Sequence, residues 1–127
     1  MARRKADQLT PLELAIMNVL WDTGPASVTL VQSRLRSDLA YTTVQTMLNV
    51  LWRKKKVKRV LVERAYHYRP AVTKQRAMGQ AVRDLVRRAF GGSAEALVLS
   101  LVETRQLTPE ALRRLQKLVD EEETRDE

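Results

Sequence analysis

Apolar residues recur along this chain first at helical spacing, then briefly at strand spacing, then at helical spacing again. Leu12, Ala15, Ile16, Val19 and Leu20 follow at i, i+3, i+4, i+7 and i+8, which is one face of a helix. Thr10-Pro11-Leu12-Glu13 marks its start: Thr10 caps, Pro11 suits the first helical position and Glu13 closes a capping box. Thr23-Gly24-Pro25 stops it. A second, short helix is expected from Ser27, with Val28, Val31 and Leu35 inward, fraying near Ser37-Asp38. A third follows in Ala40-Tyr-Thr-Thr-Val-Gln-Thr-Met-Leu-Asn-Val-Leu-Trp-Arg-Lys-Lys-Lys56, with Val44, Leu48 and Leu51 as the buried stripe and Met47 beside it. From Val57 to Pro70 the chain turns β-branched and aromatic, and Tyr66 and Tyr68 alternate with His67 and Arg69. That pattern predicts two short strands with a turn near residues 61–64. Three helices followed by a β-hairpin is the order of a winged helix-turn-helix domain.

Beyond Pro70 the pattern is helical throughout. Residues 73–90 carry Met78, Ala81, Val82, Leu85, Val86 and Ala89 on one side. Gly91-Gly92 breaks the chain, and Ser93 caps a very apolar segment over 94–102. Thr108-Pro109-Glu110 starts a last helix with Leu112, Leu115, Leu118 and Val119 on one face. Three such helices are too few and too thin to enclose a core, and a second copy of the chain would supply the missing surface. Val82, Leu85, Val86, Leu97, Leu101, Leu112, Leu115 and Leu118 are the expected dimer contacts. The expected organisation is a basic arm over 1–8, a winged-helix domain over 9–71 and a three-helix dimerisation domain over 72–127. The fold class is mainly α with a small β-hairpin.

Charge sharpens this division. The net charge is +8 over 127 residues; residues 1–70 hold 13 Lys and Arg against 5 Asp and Glu, and residues 71–127 hold 10 of each. The whole excess sits in the first half, which points that half toward a polyanion. Basic runs are also common as merely solvated faces. The third helix separates these readings. Its opening presents Thr42, Thr43, Gln45, Thr46 and Asn49, side chains able to bond base edges or pack on a thymine methyl in the major groove. Taken alone, Thr42 or Thr43 would serve as an N-cap and the rest as ordinary polar surface. In the third helix of this order they are read as base contacts. Arg53, Lys54, Lys55, Lys56, Lys58 and Arg59 suit phosphate, which positions without reading sequence, and Arg64 in the hairpin turn is placed to reach a minor groove.

Little else carries chemistry. The absence of cysteine excludes disulfides, thiolate metal sites and cysteine nucleophiles. His67 is the lone histidine, Asp120–Glu123 reads as a solvated acidic run, and no phosphate loop, hydrolase elbow or paired-histidine motif occurs. No metal, no cofactor and no catalytic residue is expected. The basic N-terminus is followed by no apolar segment, and no stretch approaches membrane-span length, so a cytoplasmic protein is expected.

Three segments carry a family resemblance: Leu14-Ala-Ile-Met-Asn-Val-Leu-Trp21, Ala40-Tyr-Thr-Thr-Val-Gln-Thr-Met-Leu-Asn49 and Arg64-Ala-Tyr-His-Tyr-Arg-Pro70. Phe90-Gly-Gly-Ser-Ala-Glu-Ala-Leu-Val-Leu-Ser-Leu-Val102 and the helix start at Leu107-Thr-Pro-Glu also fit. The chain resembles the penicillinase repressor family of bacterial transcriptional regulators, the BlaI/MecI group, over residue 9 to about residue 120. The resemblance implies a homodimeric repressor on a two-fold operator. In antibiotic-responsive members it also implies a membrane sensor protease that triggers cleavage in the dimerisation half. The scissile Asn-Phe pair of those members falls at Ser100 and Leu101 here, and both differ. The copper-sensing branch has C-terminal cysteines, which this chain lacks. The family usually has glycine where Lys55 and Glu63 stand, so the helix end and the wing turn are expected to be shaped differently. It often has arginine at Val50, a phosphate contact that Lys55 and Lys56 would replace. The leading expectation is a sequence-specific repressor. The alternatives are an architectural protein that binds duplex without reading it and a winged-helix protein–protein adaptor, with a nuclease ranked last.

Overall fold

The computed structural model describes residues 8–35 and 38–125; the basic arm before Gln8 and the expected fray at Ser37 lie outside them. Six helices and three strands follow in the order α1 (Pro11–Thr23), β1 (Ala26–Ser27), α2 (Val28–Arg34), α3 (Tyr41–Arg53), β2 (Val57–Val62), β3 (Ala65–Pro70), α4 (Lys74–Ala89), α5 (Ala94–Glu103) and α6 (Pro109–Arg125). The protein is mainly α with a small antiparallel sheet, in the winged-helix arrangement. It divides into two compact units, Met1–Ala81 and Val82–Glu127, and the division falls inside α4.

In the first unit α1 begins as its sequence dictates. Thr10 Oγ1 accepts from the Glu13 N–H and Glu13 Oε1 accepts from the Thr10 N–H, completing the capping box. Its buried face differs from the expected one by a small rotation. Ile16 and Leu20 are fully buried, Leu12 and Val19 are half-buried, Ala15 is exposed, and Met17 and Glu13 are buried in its stead. The core of α1 must be filled by a bulky flexible side chain, which Met17 provides and Ala15 does not. Ser27 caps α2 through its hydroxyl, and Val28 and Val31 turn inward. Gln32 Nε2 donates to the Leu39 carbonyl at 2.9 Å, fastening α2 to the connection that leads into α3.

β1 is a third strand that periodicity did not announce, because two residues carry no pattern. It pairs antiparallel with β3, Ala26 opposite Tyr68 and Ser27 opposite His67, giving the sheet order β1-β3-β2. The core is one cluster: Ile16, Met17, Leu20, Ala26, Val28, Val31, Val44, Leu48, Leu51, Val57 and Tyr68. Trp21 Nε1 donates to the Val72 carbonyl at 3.0 Å, so the indole joins α1 to the chain leaving the sheet.

The two positions where the family carries glycine keep glycine's backbone. Lys55 has φ 64°, and the Lys56 N–H reaches the Leu51 carbonyl at 2.9 Å, which is a Schellman ending for α3. Glu63 and Arg64 have φ 49° and 71° and form the two-residue turn between β2 and β3. Positive φ at both central residues is the type I′ hairpin turn, whose twist matches the strands it joins. The expectation of a different shape is therefore corrected: the backbone hydrogen bonds that end α3 and the pairing of β2 with β3 set the backbone, and non-glycine residues accept the strain. Each costs about 1–2 kcal/mol, offset by the roughly 0.5–1 kcal/mol that glycine loses in chain entropy. Replacing Glu63-Arg64 by Asn-Gly is expected to raise the stability of the first unit by about 1 kcal/mol, read as a higher urea midpoint at unchanged slope. An unchanged or lower midpoint would show that the turn is not strained.

No residue of α4, α5 or α6 is buried. The helices start where expected: Thr73, Ser93 and Thr108 each accept, through the side-chain oxygen, the N–H three residues on. Gly92 closes α4 with its N–H on the Val86 carbonyl, and Arg105, at φ 62°, helps end α5. Val82, Leu85, Val98, Leu99, Leu115, Leu118 and Val119 remain exposed.

Candidate nucleic-acid interface

The site is built on α3. Val44, Leu48 and Leu51 have no exposure at all and fix the helix by one face. On the other face Thr42, Thr43, Gln45 and Thr46 are exposed. The N-cap is Ala40, which offers no side-chain cap, so neither threonine serves that purpose; the Thr43 and Val44 N–H groups bond the Ala40 carbonyl instead. The expected base-contact residues thus share one surface, and Asn49 lies half-buried a turn further on.

Arg59 is what gives this surface a wall. Its guanidinium carbon lies 3.8 Å from the Trp52 ring centroid and 4.1 Å from that of Tyr66, so α3 supplies one face of a sandwich and β3 the other. Arg59 Nη1 donates to Asn49 Oδ1 at 3.0 Å, and the Tyr68 hydroxyl donates to the same oxygen at 3.3 Å. Tyr66 and Tyr68 are themselves in tilted ring contact, with centroids 6.3 Å apart. Gln45, Asn49, Trp52, Arg53, Arg59, Tyr66 and Tyr68 line a groove of about 310 Å³ between α3 and the sheet. Trp52, Tyr66 and Tyr68 are absent from the site residues expected from sequence. No local signal marked them: the register that pairs Arg59 with Tyr68 and sets Tyr66 diagonal to it on the same face comes from the fold.

Among the cations, Lys54 has another task than the expected phosphate contact. Its Nζ donates to Glu13 Oε1 and Oε2 at 2.9 and 2.8 Å and to the Gln8 carbonyl at 3.4 Å. The Glu13 side chain is 1% exposed and that of Lys54 19%, so this ion pair ties the end of α3 to the start of α1 from inside. Burial acts most strongly on Glu13 and alone would raise its pKa. The hydrogen bond and charge of Lys54, with the hydrogen bonds to Thr10, outweigh it and hold the carboxyl below its ordinary value of 4.5. Arg59, sandwiched and hydrogen-bonded, is likewise occupied. Arg53, Lys55, Lys58 and Arg64 are exposed and Lys56 is half-buried, in an arc from the end of α3 along β2 to the turn.

The other expected residues are placed as follows. Val86, Leu97, Leu101 and Leu112 are half-buried, and Val82, Leu85, Leu115 and Leu118 are exposed. Ser100 and Leu101 sit inside α5, both half-buried. Among the described residues no group of His, Cys, Asp and Glu is arranged to hold a metal ion.

A family model described as penicillinase repressor matches residues 9–121. A transcriptional regulator BlaI of Mycobacterium tuberculosis is 37% identical over 103 residues, covering 78% of this chain and 75% of that protein. A penicillinase repressor of Bacillus licheniformis is 24% identical over 96% of this chain and 97% of its own length. Among solved structures, the monomeric form of Bacillus licheniformis BlaI in complex with the blaP half-operator is 27% identical. It covers 57% of this chain and 92% of that one, with a TM-score of 0.48.

Proposed function

The chain belongs to the penicillinase repressor family, and from that premise we propose that it is a sequence-specific DNA-binding transcriptional repressor acting as a homodimer on a two-fold operator. The observation that carries this reading is the division of α3. One face is wholly in the core, and the opposite face exposes Thr42, Thr43, Gln45 and Thr46 in a row. A helix held this rigidly can enter a major groove and offer hydroxyls, amides and methyls to base edges. Arg53, Lys55, Lys56, Lys58 and Arg64 flank it with charge for the phosphates.

The helical unit pairs two chains. Its apolar residues have no core to enter within one protomer, and a two-fold partner presenting the same face would cover them. The domain reading is therefore a DNA-binding unit through residue 71 and a pairing unit from 72, with α4 as the connection. The site of action is the cytoplasm; among the described residues no helix is long and apolar enough to cross a membrane. Release of repression by a membrane sensor protease acting at Ser100-Leu101 would require α5 to open first, since proteases take extended segments and this bond is helical.

The test is selection of bound duplexes from a random library at moderate salt. The expected result is a two-fold motif with half-sites about one helical turn apart. Gln45→Ala is expected to relax one position of each half-site, lowering discrimination there by roughly 1–3 kcal/mol. Lys58→Ala is expected to weaken all duplexes alike and to reduce the slope of log affinity against log salt by about one. Enrichment of no sequence, with affinity that collapses in salt, would make this an architectural protein instead.

A further inference from the structure

The bonds to Asn49 define what that residue can read. Arginine carries only donors, so the Asn49 atom that meets Arg59 Nη1 must be the carbonyl oxygen, and the amide cannot be turned round without placing two donors together. The Tyr68 hydroxyl then donates to the same oxygen. An amide oxygen has two lone pairs, and both are engaged from the sheet side. The hydrogen-bonding capacity that remains is the two N–H groups of Nδ2. Both partners are held in place. Arg59 is stacked between Trp52 and Tyr66, and Tyr68 is 2% exposed, opposite Ala26 in the sheet. Gln45, Asn49 and Arg53 recur at i, i+4 and i+8 on one side of α3, along the same groove.

We infer that Asn49 is a fixed, donor-only specificity residue that selects a keto base, guanine or thymine, and that Arg59 and Tyr68 are the positioning residues that make it so. This rests on the DNA-reading role of α3 proposed above. A free asparagine bonds adenine bidentately, its oxygen taking the N6 hydrogen and its nitrogen giving one to N7. With the oxygen already engaged, the N6 hydrogen of adenine has no acceptor to meet at Asn49. Guanine offers O6 and N7, and thymine offers O4, all of them acceptors for Nδ2. The wing thereby sets base preference without touching that base.

The experiment is duplex selection with the intact wild-type chain, Asn49→Ala, Tyr68→Phe and the double variant Arg59→Met/Tyr68→Phe, each checked for folding by its thermal transition. Wild type is expected to enrich guanine or thymine at one position of each half-site, a position that becomes random in Asn49→Ala. The double variant frees the oxygen and is expected to raise adenine there by roughly tenfold, with Tyr68→Phe between the two. A second measurement needs only wild type and Asn49→Ala. A base lacking the keto oxygen is placed at that position, 2-aminopurine for guanine or 5-methyl-2-pyrimidinone for thymine. Wild type is expected to lose about fivefold or more in affinity, and Asn49→Ala nothing. Adenine or cytosine at the Asn49-dependent position overturns the inference, as does an unchanged preference in the folded double variant or equal losses in the second measurement. A two-fold motif with no Asn49-dependent position overturns it while leaving the repressor reading intact. Failure to enrich any motif overturns both.

Discussion

Replacing Lys54 by alanine is expected to destabilise the first unit by about 3 kcal/mol at neutral pH, because it leaves the Glu13 carboxylate buried without its counter-charge. Glu13 keeps the Thr10 N–H at 2.8 Å, which sets the loss at the lower end of the range for broken buried pairs. In a unit of this size that amounts to a fall of about 12 °C or more in the melting midpoint, readable through Trp21 and Trp52 fluorescence. The double variant Glu13→Gln/Lys54→Met removes both charges, keeps an acceptor for Thr10, and is expected to recover most of the loss. The pair also fixes the acid limb of stability. The Glu13 carboxyl titrates lower in the folded chain than its ordinary 4.5, so the unfolded chain binds its proton first as pH falls. The stability it contributes is complete above about 4.5 and is lost as pH drops through the lower, folded value. Urea midpoints between pH 7 and pH 3 should show that loss in wild type and a much flatter profile in the double variant. A cost below about 1 kcal/mol for Lys54→Ala would mean that the pair is worth no more than a surface one.

Leu118→Glu is expected to leave the protomer folded and to abolish pairing. Leu118 is 57% exposed on α6 and belongs to no core of its own chain, so a charge there has little to disrupt within one molecule. In a two-fold interface the same change appears twice and sets two carboxylates in an apolar contact, where unpaired charge is costly. Sedimentation should report a monomer at concentrations where wild type is a dimer. Affinity for a full operator should fall roughly 10²–10⁴-fold, while affinity for a single half-site stays unchanged, because only the linked second binding event is lost. A wild-type chain that sediments as a monomer, or a variant that still dimerises, would sink the pairing role of the helical unit.

The parts of this molecule that depend on local sequence were legible. The caps at Thr10, Ser27, Ser93 and Thr108 and the buried stripe Val44, Leu48 and Leu51 each follow from residues within one or two turns. What escaped depends on partners far along the chain. Glu13 read as half of a capping box, and Lys54 as one of a run of phosphate contacts. Only the fold brings them to 2.8 Å. Asn49 read as a free amide, because its competitors for hydrogen bonding come from two strands whose register is not visible in composition. Lys55 and Glu63 looked like changes of backbone shape, yet the hydrogen bonds that end α3 and the pairing of β2 with β3 hold their φ positive. Identity along a chain constrains conformation less than the contacts that enclose it.

The placement of the core has a consequence for synthesis. Every buried core residue of the described chain lies between Ile16 and Tyr68. Chains emerge from the ribosome N-terminus first, at about 5–20 residues per second, and domains fold as units. All the core residues of the first unit are therefore synthesised before α5 and α6. On the pairing role proposed for the helical unit, the growing chain carries the cationic surface before it carries the means of pairing. On that same role, encounter between two finished chains is then the last step of maturation, and its rate follows the square of their concentration.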